Sequence, residues 1–420
     1  FEEKGGFDIV IANPPYISAW SMEKDDPNSR EEIKSALFDY TILTGHWDMY
    51  IAFVAKGHQL LRNNGILSYI VPNPILREKY AKETRKFLLI QMYITSILEF
   101  NDTNVFDGVA RRTTVLVAKK DENKSNYKIN IHSNKNRNII GLIKNIERDS
   151  LFRHPNHSFL IDGSDEKDNL VLKIENQSGK IGNFFYVNYG AQVSSKIKGK
   201  FGKKAVVGIT PIGNSKHFYE GKDVHRWTLD DRDLYLDYRQ KDIYGPRVPE
   251  LFEQDKIVFR KVSDKNHKIA ATLDTTKWYT DDGNIILVPR KSVKDTGLQS
   301  DFGNYPEFNS DLNLKYVLAV MLSVVESFYF IRRFATESLQ GSTSHTYPTS
   351  VRGLPIKNIV LKNQKPFIQI VDKILDITKS IDYLENSAKK DEVKQYEKQI
   401  DQMVYRLYGL TEDEIKIVEG

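Results

Sequence analysis

Hydrophobic positions along the first 120 residues predict an open α/β sheet. Residues 7–12 form a short apolar run that ends at two prolines, which is typical of a buried parallel strand that runs into a loop. Residues 47–61 carry apolar side chains at helical spacing, and the Asn-Asn-Gly sequence that follows them is a helix stop signal. Residues 65–71 then predict a second buried strand, which is closed by a proline.

The same pattern continues through the next segments of the chain. Residues 78–93 have helical spacing, whereas residues 94–100 and 113–119 have the character of extended strands. The order strand, helix, strand, helix, strand, strand predicts a partial Rossmann-like sheet with an antiparallel addition at its edge. We expect residues 1–120 to form one domain.

The remainder of the chain predicts a change of architecture. Residues 121–180 are polar and predict a connecting segment, and residues 181–361 contain short β-like runs separated by Gly, Pro and Asp turns. Within that β-rich domain, residues 316–333 predict its clearest helix. Residues 362–420 have the helical spacing of a hairpin, for which a packing role is the preferred interpretation. The predicted fold class is therefore α/β followed by a mixed β-rich domain and a C-terminal helical hairpin.

The amino-acid composition excludes several classes of protein and of functional site. The chain has 420 residues, 40% hydrophobic and 28% charged, which predicts a globular protein of more than one domain. It contains no apolar run long enough for a membrane span and no signal peptide at its first residues, so we expect a cytoplasmic protein without a membrane partner. The net charge of +5 identifies no partner by itself. The chain has no cysteine, which excludes thiolate metal sites and a cysteine nucleophile, and we predict no metal site.

The sequence Asn13-Pro14-Pro15-Tyr16 is the main candidate for chemistry. It follows the first predicted strand directly, at the end of the sheet where open α/β folds bind ligands. Taken alone, these four residues are equally compatible with a simple turn, because Asn-Pro and Pro-Pro are common in loops.

Residues 7–16 as a unit closely resemble motif IV of amino-group methyltransferases that use S-adenosylmethionine. The resemblance implies that the side-chain oxygen of Asn13 and the carbonyl of Pro14 accept hydrogen bonds from a planar amine and aim its lone pair at the methyl donor. Pro15 would stiffen the loop beside the substrate. Tyr16 would stack on a flipped base, and one such stack returns about 1–3 kcal/mol against a flipping cost of a few kcal/mol.

Further segments extend the resemblance. Residues 65–73 look like the next strand of the methyltransferase sheet, and residues 104–108 leading into 113–117 are similar to a later motif whose aromatic residue contacts the other face of the base. That role would fall to Phe106. A core aromatic is the alternative interpretation of this residue.

The order of domains specifies the family further. A large β-rich domain after the catalytic motifs resembles the gamma class of adenine-N6 DNA methyltransferases, including the type IIG-like enzymes of restriction-modification systems. Residues 208–212, 219–224, 256–260 and 347–355 resemble recurring segments of their target-recognition domains. The Asn at the first motif position resembles the adenine group, and the absence of cysteine excludes methylation at carbon five of cytosine. Residues 1–120 would be the C-terminal half of the catalytic domain, and residues 181–361 the target-recognition domain.

The resemblance also implies a cofactor and partners. S-adenosylmethionine is the expected methyl donor, but the glycine-rich turn and acidic residue that hold it are not found before Phe7, so we expect them upstream of this chain. The chain alone is then expected to be incomplete for cofactor binding. Expected partners are double-stranded DNA and the upstream methyltransferase half of the same parent protein. Any nuclease domain of that parent would also lie upstream, because no acid, acid, lysine grouping is evident here.

Several cations are candidates for DNA contacts. A basic run without an acidic interruption suits phosphate contacts, although a solvated loop is the alternative for any one of its lysines. Its members are Lys196, Lys198, Lys200, Lys203 and Lys204. Arg226, Arg260 and Lys261 are further candidates for base or backbone contact.

Three other functions remain open from the sequence. Glutamine methyltransferases that act on translation release factors also contain Asn-Pro-Pro-Tyr, and ribosomal RNA methyltransferases are related. Both leave about 300 residues of this chain unexplained. The third alternative is a DNA-binding specificity module without catalysis.

Overall fold

The chain folds into two compact units, residues 1–163 and residues 164–420, in a computed structural model. The structure describes most of both units. The described residues are 5–45, 47–100, 113–121, 125–136, 139–153, 157–159, 165–194, 202–213, 215–239, 243–262, 269–293, 296, 305–308, 311–334 and 346–420.

The first unit is built on a six-stranded sheet. Its strands are β1 (Phe7–Ala12), β2 (Leu61–Pro72), β3 (Met92–Glu99), β4 (Thr113–Lys120), β5 (Lys128–Asn136) and β6 (Ile139–Glu147). The spatial order is β1-β2-β4-β3-β5-β6, with β1 parallel to β2 and β4 antiparallel to both of its neighbours. The predicted α/β class is confirmed. The antiparallel strand β4, however, lies inside the sheet between β2 and β3 and not at the edge.

The Asn-Asn-Gly sequence, which predicted a helix stop, lies inside strand β2. The pairing of β1 with β2 shifts register between Phe7 and Ile9, which marks a bulge at this point. Asn64 adopts a φ of 66°, and a Cβ on Gly65 would lie 2.8 Å from the carbonyl oxygen of Phe7. Asn and Gly are the residues that tolerate such a conformation and such a close approach. Helix α3 does end at Leu60, shortly before this sequence, and the sequence itself forms a bulge in β2.

Helices of the first unit lie between β1 and β2, between β2 and β3, and after β6. They are α1 (Ala19–Asp25), α2 (Ser29–Ala36), α3 (Met49–Leu60), α4 (Pro74–Arg77), α5 (Lys82–Gln91) and α6 (Arg148–Arg153). Trp47, Tyr50 and Val54 pack with Leu67 and Val71 of β2 in one buried hydrophobic cluster. Helix α3 thereby holds the strand that lies beside β1.

Helix α3 lies close to strand β2 at Gly57. A Cβ on Gly57 would lie 2.2 Å from the hydroxyl oxygen of Tyr69 and 2.8 Å from Cδ1 of Leu67, and the Tyr69 hydroxyl donates a hydrogen bond to the carbonyl of Phe53. Only a residue without a side chain fits there without a shift of the helix.

We therefore expect Gly57→Ala to lower the free energy of unfolding of the first unit by about 1–3 kcal/mol through overpacking. Urea denaturation measures this loss, and adding Tyr69→Phe should recover part of it because the nearest atom is removed. Gly141→Ala is the matched control, since no atom lies within 4 Å of its Cβ position. Equal effects of the two glycine substitutions would contradict the packing argument.

The predicted connecting segment, residues 121–180, contains regular structure. Strands β5 and β6 extend the first sheet, with β5 parallel to β3, and helix α7 (Asp165–Asn176) already belongs to the second unit. The apolar residues Ile129 and Ile131 of β5 are buried in the core of the first unit. The polar residues of β5, such as Lys128 and Asn130, gave residues 121–180 the composition of a connecting segment and concealed this strand.

The second unit contains small sheets packed with helices. Its strands are β7 (Gly179–Lys180), β8 (Phe185–Tyr189), β9 (Val207–Gly208), β10 (Lys216–Tyr219), β11 (Leu234–Leu236), β12 (Lys256–Arg260), β13 (Ala271–Asp274), β14 (Tyr279–Thr280), β15 (Asn284–Pro289) and β16 (Pro355–Ile356). Two four-stranded sheets have the orders β14-β10-β11-β9 and β13-β12-β15-β8, and β16 pairs with β7.

The helices of the second unit enclose a large apolar core. Besides α7, they are α8 (Ile181–Phe184), α9 (Leu314–Met321), α10 (Val324–Arg333), α11 (Pro348–Arg352), α12 (Leu361–Thr378), α13 (Ser387–Tyr408) and α14 (Glu412–Glu419). The single helix predicted over residues 316–333 is broken at Ser323, whose hydroxyl caps α10 by accepting from the backbone N–H of Glu326 at 3.2 Å. The predicted C-terminal hairpin is present as α12 and α13, and α14 adds a third helix.

No single helix in the described ranges has the length and apolar character needed to cross a membrane. One bent pair, α9 with α10, satisfies that test only when the two helices are taken together.

Candidate active site and specificity domain

The Asn13 to Tyr16 loop leaves strand β1 at the carboxyl edge of the first sheet. Ala12 lies beside Tyr69 in the parallel pairing, so β1 and β2 end at the same edge. The side chains of Asn13 and Pro15 are exposed, whereas Pro14 is buried and Tyr16 is half-buried. This arrangement leaves the polar group of Asn13 accessible to a ligand while the ring of Pro14 anchors the loop.

A hydrogen-bond network fixes the chain immediately after the loop. The backbone N–H of Met49, at the start of α3, donates to the carbonyl of Ile17 at 3.0 Å. One carboxylate oxygen of Asp48 accepts from the N–H of Ala19 at 2.9 Å, and the other accepts from the hydroxyl of Tyr80 at 2.8 Å. The sequence did not point to Asp48 or Tyr80, because each hydrogen bond of this network joins residues about thirty positions apart.

The residues Asn73 and Glu99 form a polar pair at the same carboxyl edge, at the ends of β2 and β3. Asn73 follows β2 directly, and its side-chain N–H donates at 3.1 Å to Glu99, a buried residue at the end of β3. The sequence did carry a signal for Asn73, because Pro72-Asn73-Pro74 repeats an Asn-Pro step after the neighbouring strand.

Burial raises the pKa of the Tyr16 phenol above its ordinary value of 10.0. The phenol is therefore neutral at physiological pH. A neutral aromatic ring suits stacking or hydrogen bonding, whereas a general base would require a lowered pKa. Phe106, the other predicted aromatic contact, lies outside the described residues.

The predicted basic run is described only at its C-terminal end. Lys196, Lys198 and Lys200 lie outside the described residues. Lys203 is bound inside the unit, because its ammonium group pairs with Glu220 and with Asp281 at 3.0 Å. The structure therefore favours Lys203 as an anchor of the run, whereas the exposed Lys204 is available for a phosphate.

Glu220 is the centre of this ion-pair network. It pairs with Lys203 and with Arg232, and Arg232 also pairs with Asp223 at 2.6 Å. Partial burial alone would raise the pKa of Glu220, but the bonds from Lys203 and Arg232 outweigh burial and lower the pKa to about 2. The network connects the segment before β9 to the loop between β10 and β11.

A lowered pKa in the folded state has a consequence for stability. Ionised Glu220 stabilises the fold fully above the unfolded value near 4.5, and this contribution is lost as the pH falls towards 2. We expect Glu220→Gln to unfold more easily at pH 7 and to lose less stability than the wild type between pH 5 and pH 2.5. Chemical denaturation across this range measures both effects. Glu250→Gln, at an exposed position, is the control, and parallel curves for wild type and Glu220→Gln would contradict the linkage.

The other predicted cations occupy different surroundings. The guanidinium of Arg226 pairs with Glu397 of α13 and donates to the carbonyls of Leu322 and Ile269, which favours a structural role. Lys261 lies over the ring of Tyr189, 5.0 Å from its centroid. Arg260 is partly exposed at the end of β12. Of these three cations, Arg260 and Lys261 remain suited to a DNA contact.

One group in the described ranges has the spacing of metal ligands. The ligand atoms of His217, Asp231 and Asp233 lie within 4.8 Å of one another. His217 is already hydrogen-bonded to Asp231 at 3.0 Å and stacks on Trp278, so its ring is held without an ion. We assign no metal to it.

Comparison with known proteins identifies two segments. Residues 1–106 match the Eco57I restriction-modification methylase family, and residues 216–356 match the TaqI-like C-terminal specificity domain. The first match covers β1 to β3 with the Asn13 to Tyr16 loop. The second covers strands β10 to β16 and the acidic residues of the ion-pair network, whereas Lys203 precedes it.

Curated relatives match over part of their length. The type II restriction enzyme and methyltransferase Eco57I of Escherichia coli is 29% identical over 121 residues, which are 29% of this chain and 12% of that protein. A Methanocaldococcus jannaschii relative named for the same two activities is 21% identical over 413 residues, which are 96% of this chain and 31% of that protein. The chain thus spans a third or less of these relatives.

Solved structures share the fold. The type IIL restriction-modification enzyme MmeI in complex with DNA has a TM-score of 0.58 at 11% identity, over 97% of this chain and 55% of that one. The DrdV–DNA complex has a TM-score of 0.50 at 11% identity, over 88% of this chain and 44% of that one. The resemblance read from the motifs is confirmed: the chain combines an Eco57I-type restriction-modification methylase segment with a TaqI-like specificity domain.

Proposed function

We propose that this chain is part of a site-specific DNA methyltransferase of a restriction-modification system, which transfers a methyl group to the N6 amine of a flipped adenine. The observation that carries the proposal is the accessible Asn13 to Tyr16 loop at the carboxyl edge of a methylase sheet, in a chain that also has a TaqI-like specificity domain. Because the proposed substrate is DNA, we also propose that the protein works in the cytoplasm.

The loop acts on the amine. The adenine amine has two N–H groups, of which one would donate to the side-chain oxygen of Asn13 and the other to the carbonyl of Pro14. These bonds draw the planar nitrogen towards tetrahedral geometry, so that its lone pair becomes available for methyl transfer. The proton leaves the amine after transfer, and no general base is needed. Tyr16, neutral and half-buried, would stack on the extruded base.

S-adenosylmethionine is the proposed donor, since the curated relatives are methyltransferases. When bound, it supplies an electrophilic methyl group on a sulfonium. The residues described here do not fit the whole cofactor, because none of their strands leads through a glycine-rich turn into a helix. We therefore assign only the amine side of the site to this chain.

The outer side of strand β1 supports an upstream partner segment. β1 is an edge strand of the sheet, and its alternate residues Phe7, Ile9 and Ile11 are all exposed. An apolar face on an edge strand is normally covered or extended by further structure. We propose that the cofactor-binding half of the parent methyltransferase adds to the sheet here.

Double-stranded DNA is the proposed partner of the second unit. Lys204, Arg260 and Lys261 are the described cations that suit phosphate or base contacts, and Lys196, Lys198 and Lys200 remain predicted phosphate contacts. A glutamine or ribosomal RNA methyltransferase would leave the specificity domain without a role. If the chain were only a DNA-binding module, the Asn13 to Tyr16 loop would have no role.

The experiment that tests this function uses the full-length parent protein. It is incubated with DNA and labelled S-adenosylmethionine, the DNA is digested to nucleosides, and the label is located by chromatography. We expect N6-methyladenine at one sequence. Label on a protein glutamine, or on DNA at any position other than adenine N6, would overturn the proposal.

A further inference from the structure

An exposed apolar tip lies between strands β9 and β10 of the specificity domain. The side chains of Ile209 and Ile212 are 75% and 70% exposed, and Pro211 between them is exposed as well. Single apolar residues on a surface are ordinary, but three within four positions on one loop are an apolar patch that favours a binding role.

The tip is held in shape. Ser215 closes a turn by donating its N–H to the carbonyl of Ile212 at 3.1 Å, and its hydroxyl accepts from the N–H of Ile212 at 2.9 Å. Gly213 has a φ of 57°, a conformation that favours glycine. At the two ends of the loop, β9 and β10 both pair with β11. The tip is therefore pre-organised, which reduces the entropic cost of binding.

The charge of the surrounding segment points to a polyanion. Residues 176–219 contain seven lysines and no acidic residue, and three of the seven, Lys180, Lys203 and Lys216, pair with acids outside this segment. Lys203 fixes this segment to the sheet through Glu220 and Asp281, and the exposed Lys204 lies just before β9. An apolar tip within a cationic segment matches duplex DNA, in which stacked apolar bases lie between two rows of phosphates.

We propose that Ile209, Pro211 and Ile212 form a wedge that inserts into the base stack of duplex DNA while the neighbouring Lys204 contacts a phosphate. The proposal rests on the DNA-directed function above and specifies how the specificity domain engages the duplex. Ile and Pro are among the side chains that unstack base steps when inserted. The wedge opens a step in addition to the flipped adenine.

The test uses the full-length parent and a duplex that contains its mapped methylation site. The double variant Ile209→Ser/Ile212→Ser should bind about tenfold to a hundredfold more weakly, because two apolar side chains are lost from a buried position. Its affinity should fall with salt at the wild-type slope, since phosphate contacts are kept. Lys204→Gln should instead reduce that slope by about one. Ile381→Ser, at a fully exposed isoleucine between α12 and α13, is the matched control and should change neither quantity.

A second readout locates the insertion. The fluorescent base 2-aminopurine, placed in turn at each position of the duplex, should brighten at one step besides the methylated adenine with the wild type, and only at the adenine with the double variant. Unchanged affinity together with an unchanged fluorescence pattern would overturn the wedge alone. Failure of the wild-type parent to bind any duplex would overturn the proposed function and the wedge together.

Discussion

Asn13→Ala is expected to lower methyl transfer at least about a hundredfold, the size of effect seen when one pre-organised polar group is removed from a reacting centre. In the proposed mechanism its side-chain oxygen accepts from the amine and draws it out of planarity, and alanine offers no such acceptor. DNA binding by the same variant should change by no more than about twofold, because the proposed phosphate and sequence-reading contacts are on residues of the second unit. Single-turnover transfer with labelled donor and a separate filter-binding titration measure the two quantities.

Asn63→Ala provides the matched control for that experiment. Asn63 is an exposed asparagine in β2, at the end of the strand opposite to the loop, so its loss should leave both transfer and binding unchanged. Because Asn13 is exposed as well, neither substitution should unfold the unit. An Asn13→Ala variant that keeps wild-type transfer would remove Asn13 from the proposed mechanism.

The sequence was sufficient for the parts of this fold that depend on local pattern. Residues 7–12 form strand β1, the helical spacing after Trp47 forms α3, and Asn13 to Tyr16 lie at the carboxyl edge, as their position after an apolar strand predicts. The expectation that β1 is buried was wrong, because it is an edge strand with exposed apolar side chains. The family of each main segment also followed from short motifs, since the matches cover residues 1–106 and 216–356.

Long-range partners were what the sequence could not supply. In the sequence, Lys203 is one lysine of a basic run. Only the folded structure places it beside Asp281, 78 positions away. Arg226 likewise meets Glu397 across 171 positions. A single sequence gives the type of each residue but not its partner, so it assigns every cation of a run the same role. Among the described cations, the structure separates those that hold the domain from those that remain exposed.

Removal of one partner of the Lys256–Asp274 ion pair is expected to lower the free energy of unfolding of the second unit. We expect this loss to exceed that of the other substitutions proposed above. The two residues are opposite each other on β12 and β13, their charged atoms are 2.6 Å apart, and both side chains are 0% exposed. Lys256→Met would leave the carboxylate of Asp274 buried without its counter-ion, which costs about 3–5 kcal/mol. Chemical denaturation, followed by amide exchange in β12, measures the loss in the second unit.

The double variant Lys256→Met/Asp274→Leu distinguishes loss of the pair from loss of a charge. It removes both charges, so it should recover much of the stability lost in Lys256→Met. Recovery should stay incomplete, because the hydroxyl of Tyr219 donates to Asp274 at 3.0 Å and the ammonium of Lys256 donates to the carbonyl of Phe252. Lys394→Ala breaks an exposed pair with Asp391 and should cost no more than about 1 kcal/mol. If Lys256→Met cost no more than this control, the buried pair would not be a determinant of the fold of the specificity domain.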